Sequence, residues 1–185
     1  MLSEQAKEKI RQQMARYPVP RSALGHALYV AQEECGGWIP YDAIKDIAEV
    51  MDLEPTDVQS MMSFYVMYNK GPVGKYLIEI CHNIACNVMG SQKLVDVVER
   101  KCHIHAGETS EDGLFTLKTI ECNAACGGGP NCQVNGTYYE NLTVEQFEQL
   151  LDRLAREGGP KPGENIYNAV YQPDLDARLK RQAVG

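Results

Sequence analysis

Four cysteines in two pairs constrain this chain more than any other feature: Cys81 and Cys86 are separated by four residues, Cys122 and Cys126 by three. Each pair starts where a strand pattern ends. In Lys75-Tyr76-Leu77-Ile78-Glu79-Ile80, the residues Tyr76, Ile78 and Ile80 share one side, the period of a strand, and the run leads straight into Cys81. A second strand is predicted from about Leu114 to Glu121, after the Asp112-Gly113 turn, and leads into Cys122. Strand ends at one sheet edge can be neighbours, so two loops can bring four thiolates around one metal centre.

The remaining pattern supplies the frame. Between the cysteine pairs, Leu94, Val97 and Val98 predict a helix over Asn87–Lys101. Asn135-Gly136 predicts a two-residue hairpin, because both central positions of a type I′ turn need positive φ. Thr143 and Gln146 fit a capping box, with Val144, Phe147, Leu150, Leu151 and Leu154 as the inner face of a last helix. Strand, helix, strand, hairpin, helix is the thioredoxin-like order, with one parallel and one antiparallel pairing. Ahead of it, four short apolar stripes, separated by Pro18, Pro20, Gly36, Gly37, Pro40 and Pro55, read as four helices. The expected class is α+β: an N-terminal helical bundle over 1–70, then a thioredoxin-like α/β domain over 71–157 carrying the metal centre. The Gly- and Pro-rich run from Gly158 begins an extended C-terminal tail over 158–185, where Ile166, Tyr167, Val170 and Tyr171 are too apolar for free solvent.

Composition narrows the chemistry. Among 185 residues, 44% are hydrophobic, enough for one or two packed cores. No run of about 18 apolar residues is present and the N-terminus lacks a secretory layout, so a soluble, intracellular protein without direct membrane insertion is expected. A formal charge of −7 argues against nucleic acid as a partner. Seven cysteines in such a chain point to metal binding or redox chemistry rather than to a disulfide framework. Zinc knuckles favour C-x2-C turns around one small ion, whereas a two-iron rhomb takes two thiolates per iron from wider loops. Ala85, Ala124, Ala125 and Gly127-Gly128-Gly129 would let backbone N–H groups approach sulfur, although the glycines alone also suit an ordinary loop. Structural zinc and a thiol–disulfide enzyme are the rival readings; the second lacks a C-x-x-C.

The stretches CHNIACNVMGSQKL, GETSEDGLFTLKTIECNAAC and QVNGTYYENLTVEQ closely resemble the 24 kDa-type thioredoxin-like ferredoxin subunit of respiratory NADH dehydrogenase, complex I, known in bacteria as the E subunit. QEECGGWIP and SFYVMYNKGPVGKY extend the resemblance into the helical front. It implies one [2Fe-2S] cluster with Cys81, Cys86, Cys122 and Cys126 as its ligands. It also implies an electron-transfer role beside a 51 kDa-type subunit that holds FMN and NADH, in the peripheral arm of an NADH:quinone oxidoreductase on the cytoplasmic face of the membrane. The same module serves NAD-linked hydrogenases and formate dehydrogenases, which the motifs do not separate from complex I. On this resemblance, the chain carries electrons and catalyses nothing alone. It departs from the family where Asn123-Ala124 replaces a usual Leu-Gly and Cys132 replaces an apolar residue such as methionine.

Other candidates have plainer readings. Cys35, Cys102 and Cys132 are expected in the core, as small hydrophobes, with a place as an alternative ligand the rival reading for Cys132. His82 is either a donor to sulfur or an exposed neighbour of a ligand. His103 and His105 would share one face of an extended segment, as a surface pair without a third ligand. Met61 and Met62 belong to the fourth helix's core face. The segment from Gly158 to Gln172 is read as a docking arm for the flavin-binding partner, the alternative being that it folds back over this chain's own domain.

Overall fold

The computed structural model describes residues 1–157. The expected tail over 158–185 and its docking segment lie outside the described residues. The chain divides into two compact units, Met1–Val73 and a second that begins at Gly74.

The first unit holds α1 (Glu4–Met14), a 3-10 turn (Pro20–Ala23), α2 (Leu24–Glu34), α3 (Tyr41–Met51) and α4 (Pro55–Phe64). Ser3 caps α1, its hydroxyl accepting from the Ala6 N–H at 3.2 Å. Pro55 opens α4 at a position where no intrahelical N–H is needed. The apolar stripes meet in one core that includes Ile10, Leu28, Ile44, Ile47, Val58 and Met62, with Met61 and Cys35 packed partly buried against it. Buried Gln32 fastens the chain after α4: its side chain donates to the Met67 carbonyl at 3.2 Å and accepts from the Asn69 N–H at 2.6 Å.

The second unit holds β1 (Tyr76–Cys81), α5 (Ile84–Val88), α6 (Ser91–Cys102), β2 (Phe115–Ile120), β3 (Cys132–Val134), β4 (Thr137–Tyr139) and α7 (Val144–Glu157), with a 3-10 turn at Cys126–Gly128. The sheet order is β2-β1-β3-β4, β1 running parallel to β2 and antiparallel to β3. Asn135 (φ 48°) and Gly136 (φ 80°) make the predicted left-handed hairpin turn. The capping box of α7 is formed: the Gln146 N–H donates to Thr143 Oγ1 at 3.2 Å and the Thr143 N–H to Gln146 Oε1 at 3.1 Å. Tyr76, Ile78, Ile80 and Leu117 of the sheet pack with Leu94 and Val98 of α6 and Phe147 and Leu151 of α7. Burying a side chain such as Phe147 contributes roughly 1.5–3 kcal/mol.

Two elements differ from the sequence expectation. The single helix over Asn87–Lys101 is two helices, because Gly90 turns at φ 99° and caps α6. The break lets α5 carry Cys86 at the sheet end while α6 lays Leu94, Val97 and Val98 onto the sheet. His103 and His105 do not share a strand face. His103 ends α6 at φ 55°, and the His105 N–H is taken up by Glu108 Oε2 at 2.7 Å.

Candidate metal centre

The parallel pairing of β1 and β2 carries both cysteine pairs to one end of the sheet. Cys81 is the last residue of β1, directly beside Ile120, and the His82 N–H donates to the Ile120 carbonyl at 3.0 Å. The two chains therefore leave the sheet side by side. One enters the turn before α5, which supplies Cys86; the other supplies Cys122 and then Cys126 at the start of the 3-10 turn. Cys81 and Cys86 are buried, whereas Cys122 and Cys126 are exposed. The site thus has an inner pair and a pair at the protein surface.

The thiols approach one another pairwise. Cys122 Sγ and Cys126 Sγ are 3.9 Å apart. Cys81 lies within hydrogen-bonding reach of both Cys86 and Cys122, which links the two loops. Among the described residues, no three His, Cys, Asp or Glu side chains are grouped round a single metal ion. Two thiolates per iron is the donor set of a two-iron cluster.

Local donors tune the sulfurs unequally. Burial works to raise the Cys81 thiol, but the Asn83 and Asn123 backbone N–H groups and the Cys86 and Cys122 thiols together hold it below the ordinary thiol value. Burial and the neighbouring Cys81 push Cys86 up, against a lowering contribution from the Asn131 backbone. Cys126 is raised by its hydrogen bond to Cys122 and by that group's charge. The Ala124 N–H donates to Cys122 Sγ at 3.2 Å, and Ala124 reaches this geometry in a left-handed conformation, φ 57°. That is the position where the resembled family carries glycine, which adopts such a φ without steric cost.

The glycine triplet is more than a flexible loop. A Cβ on Gly128 would lie 2.7 Å from Glu140 Cβ, and one on Gly129 would lie 3.5 Å from Cys86 Sγ. At Gly128 the close approach requires glycine; the Asn141 N–H then donates to its carbonyl at 2.7 Å, closing the loop against the strand end.

The other candidates are placed elsewhere. Cys132 is fully buried in the core of the second unit. Cys102 packs at that core's edge and Cys35 at the edge of the helical core. His82 Nε2 faces Glu121 Oε1 at 3.6 Å rather than a sulfur. His105 Nδ1 pairs with Glu99 Oε1 at 3.1 Å, and this carboxylate raises the imidazole's pKa. Sequence reasoning gave no role to Asn131, whose side chain donates to Cys86 Sγ at 3.3 Å. An asparagine in a Gly-Pro loop carries no sign of where its amide points, so only the fold reveals this contact.

A sequence model of the thioredoxin-like [2Fe-2S] ferredoxins matches residues 10–155. The chain belongs to this family. Its relatives include the E subunit of the NADH-quinone oxidoreductase of Rickettsia felis, 39% identical over 74% of this chain and 82% of the relative. The protein of the same name from Escherichia coli K12 is 35% identical over 82% of this chain and 91% of its own length. Among solved structures, a chain of an NAD+-reducing [NiFe]-hydrogenase in the H2-reduced state superposes with a TM-score of 0.65 at 17% identity. That likeness is one of fold; it covers 74% of this chain and 22% of the longer hydrogenase chain. As a thioredoxin-like [2Fe-2S] ferredoxin the chain is an iron–sulfur electron-transfer protein of an oxidoreductase family. Among the described residues, no helix is long and apolar enough to cross a membrane.

Proposed function

We propose that Cys81, Cys86, Cys122 and Cys126 ligate one [2Fe-2S] cluster, and that the chain exchanges single electrons between it and the FMN of an NADH-binding partner subunit in an NADH:quinone oxidoreductase. The observation that carries the reading is the meeting of the two cysteine loops at the end of the β1–β2 pair, with Cys81 joining Cys86 to Cys122. When bound, such a cluster supplies one-electron chemistry at a potential set by its ligands, hydrogen bonds and exposure. The protein's residues hold four thiolates, aim backbone N–H groups at two of them, and leave Cys122 and Cys126 at the surface, where a redox partner can approach.

In this reading NADH and FMN are held by the 51 kDa-type partner and this chain is a redox subunit that turns over no organic substrate itself. The complex I setting is favoured over a hydrogenase or formate dehydrogenase because the relatives at 35–39% identity are matched over 82–91% of their lengths and bear the name of a complex I component. The setting carries with it a place in the peripheral arm, on the cytoplasmic face of the membrane.

The test is anaerobic mixing of the red-brown chain with its flavoprotein subunit and NADH. Bleaching of the visible iron–thiolate absorption, dependent on both additions, is expected. A chain reduced by dithionite but untouched by NADH plus flavoprotein would overturn the proposed exchange.

A further inference from the structure

Two asparagines beside the cysteines form a buried chain of hydrogen bonds that ends on sulfur. Asn131 is 0% exposed and Asn123 4%. The Asn123 Nδ2 donates to Asn131 Oδ1 at 2.9 Å, and more weakly to the Glu79 carbonyl at 3.5 Å. The Asn131 Nδ2 donates both to the Ala125 carbonyl at 2.9 Å and to Cys86 Sγ at 3.3 Å. Tyr138 braces the arrangement, its hydroxyl donating to the Asn123 carbonyl at 2.9 Å.

Chemistry fixes the direction of the relay. The Ala125 carbonyl can only accept, so the side of the Asn131 amide that faces it must be the NH2 group. The second hydrogen of that group is then aimed at Cys86, and the Asn131 oxygen is turned toward Asn123, whose own NH2 must answer it. Asn123 Oδ1 meets no donor among the described residues. A polar pair that leaves one buried acceptor unmet is a poor device for stability alone, since apolar residues of the same shape would fill the space without that penalty.

We infer that Asn131, oriented by Asn123, is a positioning residue that raises the reduction potential of the centre by donating to the Cys86 sulfur. The inference rests on the proposed ligation by Cys86. One-electron reduction adds negative charge that spreads onto the thiolate sulfurs, and a donor aimed at one of them binds the reduced form more strongly than the oxidised form. No proton moves, because an amide does not titrate in this range. The direction is therefore toward easier reduction, and the effect is specific to a chain with asparagine at both positions.

The experiment replaces each asparagine by leucine, which keeps the branched shape and removes the donor, in the full chain with its cluster. For Asn131→Leu, iron is expected to stay at two per chain while the oxidised–reduced equilibrium shifts about fivefold to tenfold toward the oxidised form, tenfold being about 59 mV for one electron. A changed Fe–S(Cys) stretching band in resonance Raman should accompany the shift. Asn123→Leu should shift the potential the same way by less, and the double variant should match Asn131→Leu, because Asn123 acts only through its neighbour. Iron retained with an unchanged potential in Asn131→Leu would overturn the inference, as would additive shifts. If Asn131→Leu loses the cluster, Asn123→Leu decides alone: a lowered potential supports the relay and an unchanged one refutes it. Failure of the ligand reading is separately visible, as full iron in Cys86→Ser.

Discussion

Cys132 offers a sharp separation of a core thiol from a ligand thiol. It opens β3 between Ile80 of β1 and Tyr139 of β4, is 0% exposed, and its thiol is pushed up to about 12 by burial. Ligation needs the thiolate, and an apolar core with no donor to the sulfur among the described residues disfavours that form. The start of β3 separates the two roles: Asn131, just before the strand, turns its side chain to the Cys86 sulfur, and Cys132, its first residue, is buried in the core. Cys132→Ala removes one buried heavy atom and should cost about 1 kcal/mol, in the range of the smallest core deletions. Cys132→Ser keeps the size but buries a hydroxyl in an apolar cluster, at roughly 1–3 kcal/mol. For a unit of this size about 1 kcal/mol corresponds to a fall in Tm of roughly 4–8 °C. Urea titration and calorimetry should therefore rank wild type above Ala above Ser, with two irons per chain in all three. A ligand would behave otherwise, both variants losing iron together. Iron well below two in Cys132→Ala, or Ser more stable than Ala, would refute this reasoning.

Ala124→Gly should stabilise the protein without changing its iron content. Relief of a left-handed alanine gains about 1–2 kcal/mol, the extra freedom of glycine in the unfolded chain takes back about 0.4–1 kcal/mol, and the N–H on Cys122 is retained; a lower urea midpoint would contradict the strained geometry. Glu79 has its pKa raised by burial, with Lys118 opposing. A carboxyl whose folded pKa lies above its unfolded value contributes stability below the unfolded value, about 4.3, and loses it as pH rises through the folded value. Glu79→Gln should accordingly be more stable than wild type at pH 7, with the gain fading as pH falls toward 4; a constant difference across that window would show that burial of the charge is not its cause.

Most of this architecture is legible in the residues because local signals agree with the tertiary result. Pro55, the Asn135-Gly136 turn and the Thr143–Gln146 box each act within a few residues, and the structure forms all three. The alternation of Tyr76, Ile78 and Ile80 predicts a core face, and each of these residues is buried. The Gly90 break is harder to read, since Leu94, Val97 and Val98 give a helical stripe whether or not the preceding turn is continuous. The strand-end positions of Cys81 and Cys122 are readable, but the approach of Cys81 to Cys122 depends on the parallel register of β1 and β2. The Asn123–Asn131 relay is not readable at all, because it joins side chains from two turns through amide orientations that only packing determines.

Iron and labile sulfide content together with the reduced-state EPR spectrum of Cys122→Ser test the assignment of the centre most directly. Cys122 is exposed and its side chain supports no core, so the variant should fold. Iron well below two per chain, or a strongly altered spectrum at full iron from an oxygen-ligated site, is expected. Two irons per chain with a spectrum identical to wild type would contradict it, and with it the proposal that these four cysteines hold the cluster.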